Sequence, residues 1–231
     1  MQKLVLFDID GTLLLTAGAG RRAITAALAE CVGSVDAFDR VRFDGKTDPQ
    51  IVVELLDAAG AADLGDGARV HALCTRYLEL LEVELASGAE GVRLMPGVIP
   101  LLERLEREQG VLLGLLTGNL ERGAMLKLRA AGLDPGRFRV GAYGSDHANR
   151  PELPPIAAKR AVPLFGREPS GAEVVIIGDT PADITCGDCI GARALAVATG
   201  MYTRTELEPH APYALFDDLA PTDRVLEAIL A

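Results

Sequence analysis

The sequence predicts an α/β protein, with a Rossmann-like parallel sheet interrupted after its first strand by an inserted all-helical domain. Three observations carry that expectation. Residues 4–7 form an unbroken apolar run of the kind found in strands buried on both faces, and the run stops at Asp8-Ile9-Asp10-Gly11-Thr12. From Ala17 to about Ser87 the apolar residues recur at helical spacing. Beyond Pro96-Gly97, short apolar runs alternate with helical patterns, as right-handed strand–helix–strand crossovers require.

Taken in order, the first strand spans 3–8, and Gly11 lets the chain leave it in a conformation that other residues avoid. The helical block follows with Ala23, Ile24, Ala27, Leu28 and Cys31, then Ile51, Val52, Leu55 and Leu56, then Val70, Leu73, Tyr77, Leu80 and Leu81. After it the pattern gives a helix at 98–109, a strand at 111–116, a helix at 120–131 and a short strand near 138–142. A helix at 151–165, a strand at 173–178, a helix at 181–190 and a strand at 193–198 complete the alternation. The expected domains are a core of 1–15 with 92–231 and a helical domain of 16–91. Hinges are expected near 13–18 and 88–97, the second marked by Gly88, Gly91, Pro96 and Gly97.

A chain of 231 residues with 49% hydrophobic content can bury a substantial core. Its net charge of -10 argues against nonspecific binding to nucleic acid or to an anionic membrane. No apolar run approaches the roughly 20 residues needed to span a bilayer, and no leader pattern stands at the N-terminus, so a cytoplasmic location is expected. The four cysteines do not amount to a disulfide scaffold. Cys186 and Cys189 form a C-x-x-C on an expected helix, but without a second ligand pair they read as packing or surface residues rather than as a redox or metal site. His71, His147 and His210 are scattered, and His147 reads as a surface-loop residue.

In an open α/β sheet, ligands bind outside the carboxyl ends of the strands, so the polar residues at those ends are the candidate site. Asp8 and Asp10 end the first strand, although Asp-Gly-Thr is also an ordinary turn sequence. The run 112–116 leads into Thr117-Gly118-Asn119, where Thr117 and Asn119 also suit helix capping. The run 174–177 leads into Gly178-Asp179-Thr180-Pro181-Ala182-Asp183, in which Thr180 and Asp183 suit a capping box with Pro181 at the first helical position. Asp179 precedes that cap and has no such structural role. If the strands 3–8 and 173–178 are neighbours, Asp8, Asp10 and Asp179 converge and call for a cation. An oxygen-only ligand set with room for water and phosphate suits Mg²⁺. A carboxylate beside such an ion can attack phosphorus and form an aspartyl-phosphate.

These three segments, in this order and spacing, resemble the motifs of the haloacid dehalogenase superfamily of phosphohydrolases, and the resemblance covers essentially the whole chain. It implies that Asp8 is the nucleophile and that Asp10 is the general acid/base, which also offers a backbone carbonyl to Mg²⁺. It further implies that Thr117 binds the phosphoryl group, Asp179 ligates the metal and Asp183 orients the metal shell. The backbone N–H groups of Ile9, Gly118 and Asn119 are candidate phosphate donors. The superfamily's basic residue is less plain. Lys159 lies eight residues beyond Pro151, about 12 Å along a helix and away from the crevice. Arg150 stands at the helix start and is favoured, although arginine departs from the commoner lysine.

The helical insertion resembles the superfamily's cap, which closes over the site and excludes water. Within it, 43–49 resembles the substrate loop of phosphoglycolate phosphatase-like members, with Lys46 offering a cation to an anionic leaving group and Thr47 or Asp48 capping the next helix. Asp10 favours phosphomonoester hydrolysis over dehalogenation, because a departing alkoxide needs a proton. The expected activity is therefore an Mg²⁺-dependent phosphatase acting on a small phosphorylated metabolite, with the chain a monomer or homodimer. The alternatives are a phosphosugar mutase of the β-phosphoglucomutase type and a catalytically idle binding protein on the same fold.

Overall fold

In a computed structural model that describes every residue except Met1, Gly33, Ala62, Leu64, Gly65, Ala89 and Glu90, the expected α/β architecture is present. The first strand, β1 (Lys3–Phe7), is buried at every position. After it come β2 (Leu14–Leu15), α1 (Ala19–Ala29), α2 (Asp48–Ala58), α3 (Gly67–Ser87) and β3 (Arg93–Leu94). The chain then runs through α4 (Val98–Arg107), β4 (Val111–Thr117), α5 (Glu121–Ala130), β5 (Val140–Tyr143), α6 (Leu153–Phe165), β6 (Val174–Gly178), α7 (Pro181–Thr185) and β7 (Arg193–Val197). It ends with α8 (Arg204–Leu207), β8 (Ala214–Phe216) and α9 (Thr222–Leu230).

Among the described residues, six strands pair in parallel in the order β5-β4-β1-β6-β7-β8. β1 is thus central, flanked by β4 with Phe7 opposite Leu115 and by β6 with Phe7 opposite Ile177. That register sets Asp8, Thr117 and Asp179 at one edge of the sheet. The period-2 alternation of β1 divides the core: Val5 and Phe7 join a cluster with Leu101, Leu105, Leu128, Val225 and Ile229, while Leu4 and Leu6 join another with Leu153, Ala157, Ala161 and Phe165. Helices α4, α5 and α9 therefore cover one face and α6 the other.

The insertion has an apolar cluster of its own, built from Ala23, Ile24, Leu28, Ile51, Val52, Leu55, Leu73, Tyr77 and Leu81, and closed by Leu120 from the sheet side. Its two crossings to the sheet are antiparallel: Leu14 pairs with Leu94 and Leu15 with Arg93. The expected hinge segments overlap this ribbon, and Ala89 and Glu90 of the second one lie outside the described residues.

Several elements depart from expectation. The helix expected over 181–190 stops at Thr185 and resumes as a 3-10 turn at Asp188–Ile190. Gly187 lies at the break and packs close to β6: a Cβ there would lie 2.5 Å from Ile176 Cδ1 and 2.8 Å from Ala192 Cβ. The strand expected near 138–142 is shifted to Val140–Tyr143, and a 3-10 turn at Arg150–Glu152 precedes α6. The elements β2, β3, α8, β8 and α9 were not expected. α9 nonetheless carries a helical stripe, with Val225, Leu226 and Ile229 buried. Asn119 does not cap α5. The Glu121 N–H bonds Ser145 Oγ at 3.2 Å, and the Leu120 N–H bonds Asp48 Oδ2 at 2.9 Å, so the helix is capped from elsewhere in the chain. Thr180 and Asp183 do form the expected capping box, and Thr47 caps α2 at the Gln50 N–H. Among the described residues, all four cysteines are free, and no helix is long and apolar enough to cross a membrane.

Candidate active site

The site lies where β1, β4 and β6 end. Asp8 directly follows β1, Asp179 directly follows β6, and Asp183 sits on the first turn of α7. They are 6%, 3% and 1% exposed, which is rare for carboxylates without partners. One oxygen from each lies within 4.8 Å of the others. The sequence expected Asp8, Asp10 and Asp179 to converge, with Asp183 orienting the metal shell; the fold instead gathers the carboxylates of Asp8, Asp179 and Asp183, and that of Asp10 turns toward Asn119 and Lys127. Asp183 orients Oδ2 by accepting from Thr180 N–H (3.0 Å) and Thr180 Oγ1 (2.6 Å), which turns Oδ1 toward the cluster. Thr12 Oγ1 donates to Asp179 Oδ1 at 2.9 Å. Gly11, at φ 88°, lies against the Asp179 carboxylate where any Cβ would collide.

Arg150 provides the counter-charge. Its Nη2 donates to Asp8 Oδ1 at 3.1 Å, to Leu116 O at 3.4 Å, and to Asp183 Oδ1 in a short contact. The side chain is buried, and among the described residues its Nε has no partner. Burial opposes the guanidinium charge, but Asp183 and Asp8 outweigh it and raise its pKa. Lys159, the alternative basic residue, is exposed on α6.

One guanidinium does not balance three buried carboxylates. Burial pushes the Asp8 pKa up to about 7, with Asp183 and Asp10 adding to the shift and Arg150 opposing it. Asp179 is raised well above the ordinary value, by burial first and then by Asp183 and Asp8. The donor set is oxygen-only and holds excess negative charge, and it fits a hard divalent cation; thiolate- or imidazole-seeking metals would find no ligand in it.

Asp10 takes a different position. Its side chain is 40% exposed and turns toward α5, where Oδ2 accepts from Asn119 Nδ2 at 2.7 Å and from Lys127 Nζ at 2.6 Å. Lys127 Nζ also donates to Asn119 Oδ1 at 2.6 Å, and Asn119 Nδ2 donates to Thr117 Oγ1 at 2.8 Å. Sequence reasoning missed Lys127, which belongs to no short motif and reaches the site only because α5 packs beneath the insertion. The Asn119 N–H, a candidate phosphate donor, bonds Thr117 Oγ1 at 3.3 Å. Ile9 buries its side chain in the core, and its carbonyl accepts from the N–H groups of Leu13 and Leu14.

The loop 43–49 lies directly on the Thr117-Gly118-Asn119 turn. The Asp48 N–H bonds Gly118 O at 2.8 Å, and Thr47 Oγ1 bonds Ala148 O at 2.6 Å. A Cβ on Gly118 would strike the Lys46 carbonyl. Burial raises the Asp48 pKa to about 6, with Lys127 and the Leu120 N–H opposing the shift. Lys46 borders the cleft but is paired with Glu54 of α2. Arg21 lies 3.8 Å over the Phe43 ring. The cleft, about 320 Å³ and partly open to solvent, has Asp8, Asp10, Thr117 and Arg150 at its floor and Arg21, Phe43, Lys46 and Tyr77 on the side of the insertion. Cys186 is buried, Cys189 is exposed, and His147 is exposed on its loop.

The chain is similar to known proteins in sequence and in fold. The family model for haloacid dehalogenase-like hydrolases matches residues 2–191. A phosphoglycolate phosphatase from Rhodospirillum rubrum is 28% identical over 224 residues, covering 95% of this chain and 89% of that protein. Among solved structures, CbbY from Rhodobacter sphaeroides in complex with phosphate aligns with a TM-score of 0.73 at 21% identity, over 95% of this chain and 96% of the other. β-Phosphoglucomutase from Clostridium difficile aligns with a TM-score of 0.76 at 16% identity, over 100% and 98%. At those identities the two structures speak to the fold alone.

Proposed function

The chain belongs to the haloacid dehalogenase-like hydrolases, and from that premise we propose that it is an Mg²⁺-dependent phosphatase of small phosphomonoesters, similar in activity to the phosphoglycolate phosphatases. The observation that carries this reading is the buried meeting of Asp8, Asp179 and Asp183 with Arg150 at the floor of the cleft. Asp8, Asp179, Asp183 and the Asp10 carbonyl would hold Mg²⁺. When bound, the ion neutralises the carboxylates and draws charge from the phosphoryl oxygens.

The chain's own residues then have distinct tasks. Thr117 Oγ1 and the Gly118 N–H, at the end of β4, hold the phosphoryl oxygens. The free carboxylate oxygen of Asp8 attacks phosphorus while Arg150 fixes the other oxygen and offsets its charge. Asp10 protonates the departing alkoxide and then accepts a proton from the water that opens the aspartyl-phosphate. The loop 43–49 covers the phosphate turn and excludes bulk water, and Lys46 stands at the side from which an anionic leaving group would enter.

Phosphate release from a panel of phosphorylated metabolites is expected with Mg²⁺, without any bisphosphate activator, and is expected to stop on chelation. Activator-dependent isomerisation with little free phosphate would instead make the protein a mutase, and no turnover of any kind would make it a binding protein.

The metal assignment also predicts a pH dependence. The folded-state pKa of Asp8, about 7, lies above its ordinary value of 3.8, so between roughly pH 4 and 7 the folded chain holds a proton that the unfolded chain has lost. Stability from this group is therefore full below that window and is lost as pH rises through 7. The cation binds the ionised site, so its stabilisation grows over the same window. At pH 8, Mg²⁺ at 100 times its Kd should add about 2.7 kcal/mol, a rise in Tm of about 5–10 °C, and the rise should shrink well below that at pH 5.5. Thermal melts at the two pH values check this, and an Mg²⁺ shift of the same size at both would remove the carboxylate cluster as the site.

A further inference from the structure

Lys127 has no part in the scheme above, yet it is the most constrained lysine near the cleft. It rises from the inner face of α5, is 4% exposed, and is one of the residues lining the cavity. Its ammonium donates to Asp10 Oδ2 and Asn119 Oδ1, each at 2.6 Å, while Asn119 Nδ2 donates back to the same Oδ2 at 2.7 Å. The three side chains close a ring that is anchored to Thr117 through Asn119. A buried lysine loses hydration and chain entropy, so its retention needs a specific partner. The ammonium lies against Gly20 of α1, where a Cβ would sit 3.4 Å from Nζ, in ordinary van der Waals contact.

Both donors converge on one oxygen of Asp10. Among the described residues no hydrogen bond reaches Oδ1, which is left to give and take protons. A carboxylate that is 40% exposed would otherwise rotate freely about its terminal torsion. We propose that Lys127 is the positioning residue for Asp10: through Oδ2, and together with Asn119, it fixes the carboxylate so that Oδ1 faces the leaving-group oxygen.

The proposal rests on the phosphatase reading and specifies one step of it. As the bond between Asp8 and phosphorus forms, the P–O bond to the leaving group breaks, and the alkoxide takes the proton from Asp10 Oδ1. Water then attacks phosphorus, Asp10 Oδ1 accepts the water's proton, and the Asp8–phosphorus bond breaks to release inorganic phosphate. A p-nitrophenolate leaving group is stable as an anion and does not need that first proton. The parameter kcat/KM reports the chemistry only up to the first irreversible step, so it isolates this difference.

The test compares wild type and Lys127→Met on an alkyl phosphomonoester and on p-nitrophenyl phosphate, with thermal melts of both proteins. The expected result is a fall in kcat/KM for the alkyl ester of about 10²-fold, the size of a general-acid contribution, exceeding the fall for p-nitrophenyl phosphate by at least about tenfold. Equal losses on the two substrates would mean that Lys127 only supports the fold, and no loss on either would mean that it does not act on Asp10; both overturn the proposal while the phosphatase reading stands. Absence of turnover by the wild type on both substrates would overturn the phosphatase reading itself.

Discussion

Replacing Asp8 by asparagine is expected to lower kcat by at least about 10⁴-fold on any phosphomonoester the wild type cleaves, and to leave the fold intact. The amide is nearly isosteric with the carboxylate and keeps an oxygen for Arg150 Nη2, so the contact at 3.1 Å can persist. It cannot form an aspartyl-phosphate. The substitution also removes one of three crowded carboxylates whose ionisation burial already opposes. The metal-free variant should therefore melt at or above the wild-type temperature near neutral pH, and its Mg²⁺-induced shift should be smaller. Loss of activity with an unchanged melt separates chemistry from folding. Normal phosphate release by this variant would remove Asp8 as the nucleophile.

Arg150→Met carries the second large effect, and on stability as well as rate. The arginine lies between Asp8 and Asp183, both buried, and its removal leaves those carboxylates facing each other without a counter-charge. Breaking a buried ion pair from one side costs about 3–5 kcal/mol, or about 6–20 °C in Tm for a chain of this size. That loss should be largest in chelator and should be partly recovered in Mg²⁺, because the cation meets the same uncompensated charge. Activity should fall with it. Lys159→Met serves as the comparison. Lys159 is exposed on α6, so its replacement should change stability by no more than about 0.5 kcal/mol and leave turnover unaltered. Equal effects of the two substitutions would reverse the assignment of the basic residue.

How far the sequence reveals this protein depends on the distance over which each feature is encoded. The strands around Asp8, Thr117 and Asp179 are legible because apolar runs ending in small polar residues are local patterns, and a parallel sheet gathers such ends at one edge. Arg150 was legible as the residue at the start of the helix that Pro151 marks, although it lies in the 3-10 turn at Arg150–Glu152 and not in the extended form favoured before a proline. The ring of Asp10, Asn119 and Lys127 was not, because it depends on which face of α5 turns inward, and a lone lysine in a helix does not encode that. The capping of Leu120 by Asp48 joins residues 72 positions apart and leaves no trace in either segment. The edge strand β8 was missed for a different reason: it is three half-buried residues long and gives no alternation to detect.

The paired crossings Leu14–Leu15 and Arg93–Leu94 have a consequence for how such a molecule can diversify. Because the outgoing and returning chains run side by side, the whole excursion between them begins and ends at one spot beside the edge that carries Asp8. Whatever is threaded there, short or long, leaves the strand order of the sheet untouched. Selection could thus remodel the roof over the cleft without refolding the floor, and an experimenter could graft another roof onto the same two stubs.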